Sequence, residues 1–293
     1  MLNKKSNGEK IFNTFNIIFM IVLMIITVYP LLHVLFASVS DSNEVLAHRG
    51  LLLKPLGFNF AAYKMVFKNP MIVKGYLNTI IIVVFGVSLN ILMTSLAAYV
   101  LSRKNVLWKK SMMFFVVFTM FFSGGLIPFY FTVKNLHIDD SYLALILPVA
   151  INTFNLIIMR TSFEAIPDSL EESAKLDGAN HFTILFRIIL PLSLPIVAVM
   201  VLYYSVGHWN AWFNAMIFIQ NRDLYPLQLV LREILIQNDT SVMAAGVGMA
   251  DQEAIGESIK YAVIVVATLP ILCVYPFLQK YFVKGALVGA VKG

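Results

Sequence analysis

Six stretches of this chain each run for about 20 residues without an Asp, Glu, Lys or Arg. They extend from about Thr14 to Phe36, Tyr76 to Leu101, Ser111 to Val133, Ser141 to Met159, Leu192 to Ile219 and Tyr261 to Gln279. That length lets a helix cross the hydrocarbon core of a bilayer. Within that core the backbone must satisfy its own hydrogen bonds, so the stretches are read as helices and not as loose strands. Composition agrees, with 59% hydrophobic and only 13% charged residues, against about 25% charged in a soluble domain. The expectation is an all-α integral membrane protein of six transmembrane helices, surrounded by lipid.

The net charge of +6 is spread between the apolar runs and forms no separate basic tract, so no nucleic-acid partner is expected. The one cysteine, Cys273, lies inside an apolar run, which excludes a disulfide framework and a zinc pattern. No metal and no cofactor are expected. Lys4, Lys5 and Lys10 precede the first run as in a signal peptide, but the run exceeds a signal core of about 7–15 residues, so a retained anchor is expected. Lysines and arginines set orientation. The strongest vote comes from the short loop with Arg103, Lys104, Lys109 and Lys110; Arg49, Lys54, Lys64, Lys68 and Lys74 weaken the bias. Both termini are assigned to the cytoplasm. The expected organisation is a cytoplasmic N-terminus over 1–13, a six-helix membrane domain over 14–283 with a cytoplasmic loop at 163–191, and a cytoplasmic tail over 284–293.

Ion-coupled carriers use ionisable groups at membrane depth. Their absence argues against a self-sufficient secondary transporter. His33 and His208 lie near span ends or interfacial aromatics and are read as structural. Asn78, Asn90, Thr94, Ser95, Asn152 and Asn155 are read as interhelical hydrogen-bonding groups. Asn210 and Asn214 are four apart and would share a helix face. For that pair, interhelical bonding and a polar path for a hydroxyl-rich solute stay open. No G-x-x-x-x-G-K-[ST] stretch occurs. No nucleophile–base pair stands out, so no catalytic residue is expected, and any ATP-derived energy must come from another chain.

The cytoplasmic loop carries the strongest local pattern. Ser169 and Glu172 have the S-x-x-E form of a capping box. Pro167 stops the preceding helix, and Gly178 suits a left-handed cap. These signals predict a short helix from Leu170 to Asp177. A second should start after Asn180, with Phe182, Leu185, Phe186 and Ile189 on its apolar face. Pro191 and Pro195 mark the entry to the fifth span. Ser173 and Ala174 are small enough for close approach. Spacing alone leaves two readings open: a rigid knob for a partner, or an amphipathic hairpin on the membrane surface.

Glu172-Ser173-Ala174, Gly178 and then Ile188-Ile189-Leu190-Pro191 resemble the EAA loop of binding-protein-dependent ABC importers, E-A-A-x-x-x-G-x9-I-x-L-P, with every spacing kept. Ser173 replaces the usual alanine. Asn59-Phe60-Ala61-Ala62-Tyr63 through Asn78-Thr79, and Ala97 to Arg103, resemble the carbohydrate branch of that family. So do Trp209-Asn210-Ala211-Trp212 through Ile219, and the tail from Phe282 to Gly293. The resemblance implies an ABC type I importer permease fold of the maltose-type second-permease kind. It implies that Ser169, Leu170, Glu171, Glu172, Ser173, Ala174, Asp177, Gly178 and Ala179 form a coupling helix that docks on an ATPase. In the tail, Gly289, Lys292 and Gly293 would touch the ATPase pair. The implied partners are a homologous second permease in a heterodimeric pore, two ATPase chains and an extracytoplasmic solute-binding protein, which the outer loop from Asn221 to Lys260 would contact. The implied location is the cytoplasmic (inner) membrane of a bacterium.

The closest look is to importers of complex sugars and alginate. Tyr203, Trp209, Asn210 and Asn214 form the candidate solute path. Stacking on sugar rings by Tyr203, Tyr204, Trp209, Trp212 and Phe213 competes with an interfacial aromatic belt. The outer loop from Ala37 to Tyr76 carries more Lys and Arg than its Asp41 and Glu44 balance. That surplus suits an acidic oligosaccharide such as alginate, or an acidic patch on the binding protein. A permease for another solute and a stand-alone channel or carrier are the alternatives.

Overall fold

A computed structural model of the chain describes residues 7–236, 255–273 and 276. Its main helices are α1 (Asn7–Ser38), α2 (Pro70–Ser102), α3 (Lys109–Phe121), α4 (Leu126–Asn135), α5 (Leu143–Val149, ending in a 3-10 turn), α6 (Thr153–Glu164), α7 (Asp168–Leu176), α8 (His181–Leu192), α9 (Leu194–Asn210), α10 (Phe213–Phe218), α11 (Leu227–Ile236) and α12 (Ile255–Cys273). Short helices at Ser42–Ala47 and Ala61–Lys68 lie between α1 and α2. No strand occurs among the described residues.

Among the described residues, only α1, α2 and α12 are single helices long and apolar enough to cross a membrane. The pairs α3 with α4, α5 with α6 and α8 with α9 qualify as spans only if each bent pair counts once, with bends of 115°, 49° and 88°. Continuous third, fourth and fifth helices were expected, and the sequence contains the reasons for the breaks. Gly125 turns at φ 84 between α3 and α4, a conformation open to glycine because it lacks a Cβ. Pro148 lies in the tightened end of α5, and Asn152 starts α6 by accepting from the Asn155 amide at 3.0 Å. Pro191 and Pro195 bracket Ser193 at the right-angle turn into α9, where each proline removes one backbone donor. The sixth helix starts at Ile255, earlier than the expected Tyr261, and the expected end at Gln279 lies outside the described residues.

The chain divides into two compact units. The first comprises Met1–Pro70 and Leu231–Thr268. Here the apolar body of α1 is not covered by the described residues. The His33 ring stands edge-on to Tyr261 of α12 at 6.0 Å, and its Nδ1 lies 3.3 Å from the Tyr29 hydroxyl. Those contacts fit the structural role read for His33.

The second unit comprises Met71–Val230 and Leu269–Gly293. Its main core joins Ala98 and Leu101 of α2, Met159 and Phe163 of α6, Ala174 of α7, and Ile184, Leu185 and Ile189 of α8. The apolar face of α8 is therefore only partly the expected one. Leu185 and Ile189 are buried, whereas Phe182 and Phe186 are exposed and Ile184 takes their place. A π-turn over Leu185–Ile189 rotates the helix there.

Polar groups of α2 cross-link this unit. The Asn78 amide donates to the carbonyls of Asp223 and Tyr225 and accepts from the Tyr142 hydroxyl. The Asn90 amide donates to Val149 and Ala150 at the end of α5, and its oxygen lies 2.7 Å from His208 Nε2. Thr94 meets the Tyr204 hydroxyl at 2.7 Å, and Ser95 reaches Met159 Sδ at 3.5 Å. These residues make the interhelical bonds read from the sequence.

Candidate functional site

The short helix α7 forms for reasons written on both sides of it. Pro167 sits at the cap position with φ −58 and ψ 132, which ends α6 and fixes the entry. Asp168 and Glu171 lie in the first turn, where the helix dipole favours carboxylates, and Lys175 lies in the last. At the other end Gly178 adopts φ 81. The Ala179 amide donates back to the Ala174 carbonyl at 2.9 Å and the Gly178 amide to Lys175 at 3.0 Å. This is a Schellman cap, which satisfies carbonyls the helix would leave open. Asn180 then caps α8 by accepting from the Thr183 amide at 2.8 Å.

The expected capping box does not form. The helix begins at Asp168 rather than Leu170, so Ser169 lies inside the first turn, and the cap residue Pro167 makes no side-chain cap bond. The Asp168 carboxylate turns instead to Lys104 at 2.5 Å. Proline's fixed φ starts the helix one residue before the serine could cap it.

A charged cluster pins one face of α7 to the ends of α2 and α6. Arg103 Nη1 meets Glu171 Oε2 at 2.5 Å; Glu171 is buried and Arg103 largely so. Arg103 Nη2 donates to the Phe163 carbonyl at 2.9 Å. Lys175 Nζ holds Glu171 Oε1 at 2.8 Å. The Tyr99 hydroxyl donates to the same oxygen at 3.4 Å and lies 3.0 Å from His181 Nδ1. Beside it, Glu164 takes Arg160 at 2.6 Å and Lys109 at 3.0 Å. Burial pushes the Glu171 carboxyl up, but the bonded Lys175 and Arg103 together outweigh burial and hold it below its ordinary value. The Lys104 hydrogen bond and charge hold Asp168 below its ordinary value, and Asp168 raises Lys104 in return.

The opposite face of α7 is turned outward. Ser169, Leu170, Glu172, Ser173 and Asp177 are exposed, and Leu176 is 90% exposed. Glu172 makes no hydrogen bond or ion pair among the described residues. Glu171 and Ala174 face inward, and Gly178 and Ala179 form the cap. A cleft of about 590 Å³ runs beside the helix, lined by Tyr99, Arg103, Lys104, Glu171, Glu172 and Phe182. The sequence groups Glu171 with the docking residues. The structure makes it the internal anchor, because its partner Arg103 is 68 positions away and no local pattern couples them.

The candidate solute path divides. Tyr203 and Asn214 line a cavity of about 240 Å³ together with Asn152, Asn155, Tyr204 and His208. Asn210 and Trp209 do not line it. The helix breaks at Ala211–Trp212 between α9 and α10, so Asn210 and Asn214 do not share a helix face. Asn210 instead bonds its own helix at the Val206 carbonyl. Trp209 packs edge-on to Tyr76 at 6.1 Å, and its buried Nε1 has no partner among the described residues. The tail residues Gly289, Lys292 and Gly293 lie outside the described residues, as does the middle of the outer loop between Asn221 and Lys260.

An all-helical chain of apolar spans, carrying one capped helix between two of them and no nucleotide motif, has the build of a transporter permease. The chain belongs to the family of binding-protein-dependent transport system inner membrane components, whose model matches residues 90–288. It is 45% identical over 280 residues to the polygalacturonan/rhamnogalacturonan transport system permease protein YtcP of Bacillus subtilis (strain 168), covering 94% of this chain and 96% of that protein. Protein LplC of the same organism is 43% identical over 290 residues, covering 98% and 97%. Among solved structures, a chain of a bacterial ABC transporter involved in the import of the acidic polysaccharide alginate superposes with a TM-score of 0.87 at 30% identity, covering 95% of this chain and 99% of that one. The chain is thus a permease subunit and not an enzyme.

Proposed function

We propose that this chain is one of two homologous permease subunits of an ATP-driven importer for an oligosaccharide, with α7 as the element that docks on a separate ATPase. One observation carries the reading: α7 is pinned through Glu171 to Arg103 on one face, while Glu172, Ser173 and Leu176 are turned outward on the other. A helix anchored internally and bare externally transmits a push from a partner to the helices behind it. Two ATPase chains and an extracytoplasmic binding protein complete the assembly, and both termini face the cytoplasm. Gly289, Lys292 and Gly293 form a second ATPase contact. The solute is acidic, in keeping with the polygalacturonan named for one relative and the alginate named for the structural neighbour. The surplus of lysine and arginine in the first outer loop supports the same choice.

The test is uptake and ATP hydrolysis by the assembled importer with and without α7. Glu172→Ala, or replacement of 168–178 by a flexible linker, should leave the chain in the membrane but abolish solute-stimulated ATP hydrolysis. Normal uptake by the linker variant would overturn the docking role. Solute flux through liposomes holding this chain alone would overturn the need for partners.

A further inference from the structure

The outer loop that follows α1 folds back along that helix. Its base is closed at the end of α1. The Leu56 amide donates to Ser40 Oγ at 2.9 Å, the Asp41 amide to the Leu56 carbonyl at 2.8 Å and the Asn59 amide to the Val39 carbonyl at 2.9 Å. Its middle returns towards the membrane: the Leu52 amide donates to the Tyr29 hydroxyl at 3.0 Å, and Leu52 is buried. At about 1.5 Å per residue, Tyr29 lies about 13 Å back along α1 from its end at Ser38. On the same measure it lies about 28 Å from Lys10, the last Asp, Glu, Lys or Arg of α1. The hydrocarbon core is about 30 Å thick. With the N-terminus cytoplasmic, Leu52 therefore sits at the outer boundary of that core and not above it.

Burial alternates from Leu51 to Leu53, as in an extended segment whose successive side chains point to opposite sides. Leu52 faces α1, while Leu51 and Leu53 are 68% and 72% exposed. The neighbouring surface of α1 is apolar and exposed as well, at Ile26, Leu31 and Leu32. Arg49 and Lys54 flank the two bare leucines, both exposed and neither with an ion-pair partner among the described residues. The nearby carboxylates are turned to the base of the loop. Asp41 accepts from the Asn43 amide and the Asn59 side chain. Glu44 Oε2 would lie 3.6 Å from a Cβ on Gly57. The tip is thus an apolar pair between two uncompensated cations at a lipid–water boundary. A phospholipid with a negative headgroup presents the complement, acyl chain on one side and phosphate on the other. A water-soluble protein would have to displace lipid to reach the same depth.

We propose that the loop from Arg49 to Lys54 is an outer-leaflet anchor for an anionic phospholipid. Leu51 and Leu53 enter the acyl-chain boundary, and Arg49 and Lys54 hold the headgroup phosphate. The inference uses the orientation given above, with both termini cytoplasmic, and is independent of the solute. It takes Arg49 and Lys54 out of the cationic surplus of the outer loop and leaves Lys64 and Lys68 to an acidic solute. Because Leu52 is bonded to Tyr29, the anchor also fixes the depth of the outer end of α1.

The test uses the assembled importer in proteoliposomes. In a Cys273→Ser background, Leu53→Cys carries a fluorophore that bromine quenches, and Leu51→Cys serves as a second reporter on the same side. Phospholipids brominated on their acyl chains near the glycerol end should quench both reporters. Brominated phosphatidylglycerol should quench more than brominated phosphatidylcholine. Arg49→Gln and Lys54→Gln should each lower that preference about five-fold, the factor expected per cation at an anionic membrane surface. Absence of quenching by either lipid would overturn the anchor and leave the surface to a protein partner. Equal quenching by both lipids, unmoved by the glutamine variants, would overturn the headgroup recognition. Quenching that is lost on adding the importer's binding protein would assign the loop to that protein instead. A membrane-impermeant thiol reagent separates these results from the orientation. Lys54→Cys should react from outside intact cells, and reaction from the cytoplasmic side alone would overturn the orientation and the outer-leaflet anchor with it.

Discussion

Arg103 at the end of α2 and Glu171 in α7 form a largely buried ion pair at 2.5 Å. The same guanidinium donates to the Phe163 carbonyl near the end of α6. One side chain therefore ties α7 to two membrane helices. Any displacement of α7 by a partner must move α2 and α6 with it or break this cluster.

Breaking the pair from either side should loosen α7. Removing one partner of a largely buried ion pair is destabilising because the other charge is left uncompensated. Arg103→Ala should therefore raise amide exchange across 168–178 and uncouple ATP hydrolysis from uptake. Arg103→Met combined with Glu171→Leu should recover much of the exchange protection, since an apolar pair of similar volume leaves no stranded charge. Equal exchange in the single and double variants would contradict this. Lys104→Ala is the contrast: its bond to Asp168 is exposed and screened by water, so its loss should leave exchange across 168–178 unchanged.

The pH response of α7 follows from Glu171. Its carboxyl is held below the ordinary value of 4.5 because Lys175 and Arg103 outweigh burial. A depressed carboxyl contributes stability that is fully present above its unfolded value and is lost as pH falls through its folded value. Protection of the α7 amides should stay level from pH 7 down past pH 5 and fall only under acid conditions below the ordinary glutamate range. Glu171→Gln should flatten that acid limb and lower the plateau. Loss of protection centred near pH 6 would overturn the role given to Glu171.

Much of this could be read from the chain alone, and what could not was non-local. Charge-free runs located the apolar segments, because the bilayer leaves few alternatives. Gly178 was readable because only a left-handed residue ends a helix in that way. Pro191 and Pro195 were readable as breakers, but the 88° bend they produce was not. The continuous third span was misread because Gly124 and Gly125 sit within an otherwise unbroken apolar run. The pairing of Asn210 with Asn214 failed for a similar reason: i and i+4 share a face only while the helix continues, and it stops at Ala211. Arg103 registered only as a topological charge and as part of a family stretch. Its role emerges when folding brings α2 beneath α7.

Gly178 should be sensitive to side chains through its backbone alone. Its φ is 81, and a Cβ there would meet nothing within 4 Å. Gly178→Ala should therefore cost about 1–2 kcal/mol from the left-handed conformation without any clash. Gly178→Asn should cost less, since asparagine tolerates that region better. Exchange protection of the Ala179 amide, which closes the cap, would report the difference. An alanine variant as protected as wild type would show that the cap forms without the glycine.

Gly86 is the opposite case, where space decides. A Cβ on this α2 residue would lie 2.5 Å from His208 Nε2 and 2.7 Å from the neighbouring ring carbon. The ring cannot yield cheaply: it is buried, and Nε2 is bonded to Asn90, which also holds the end of α5. Gly86→Ala should thus push α9 away from α2 or break the His208–Asn90 bond, at about 1–3 kcal/mol for overpacking. Gly207→Ala, on α9 with nothing within 4 Å, should be neutral or slightly stabilising because alanine favours helix. Thermal unfolding of the purified chain in detergent would rank the two. Adding His208→Ala to Gly86→Ala should restore part of the loss relative to the sum of the single variants, because the smaller side chain vacates the space the methyl needs. Strict additivity would mean that the two residues do not meet.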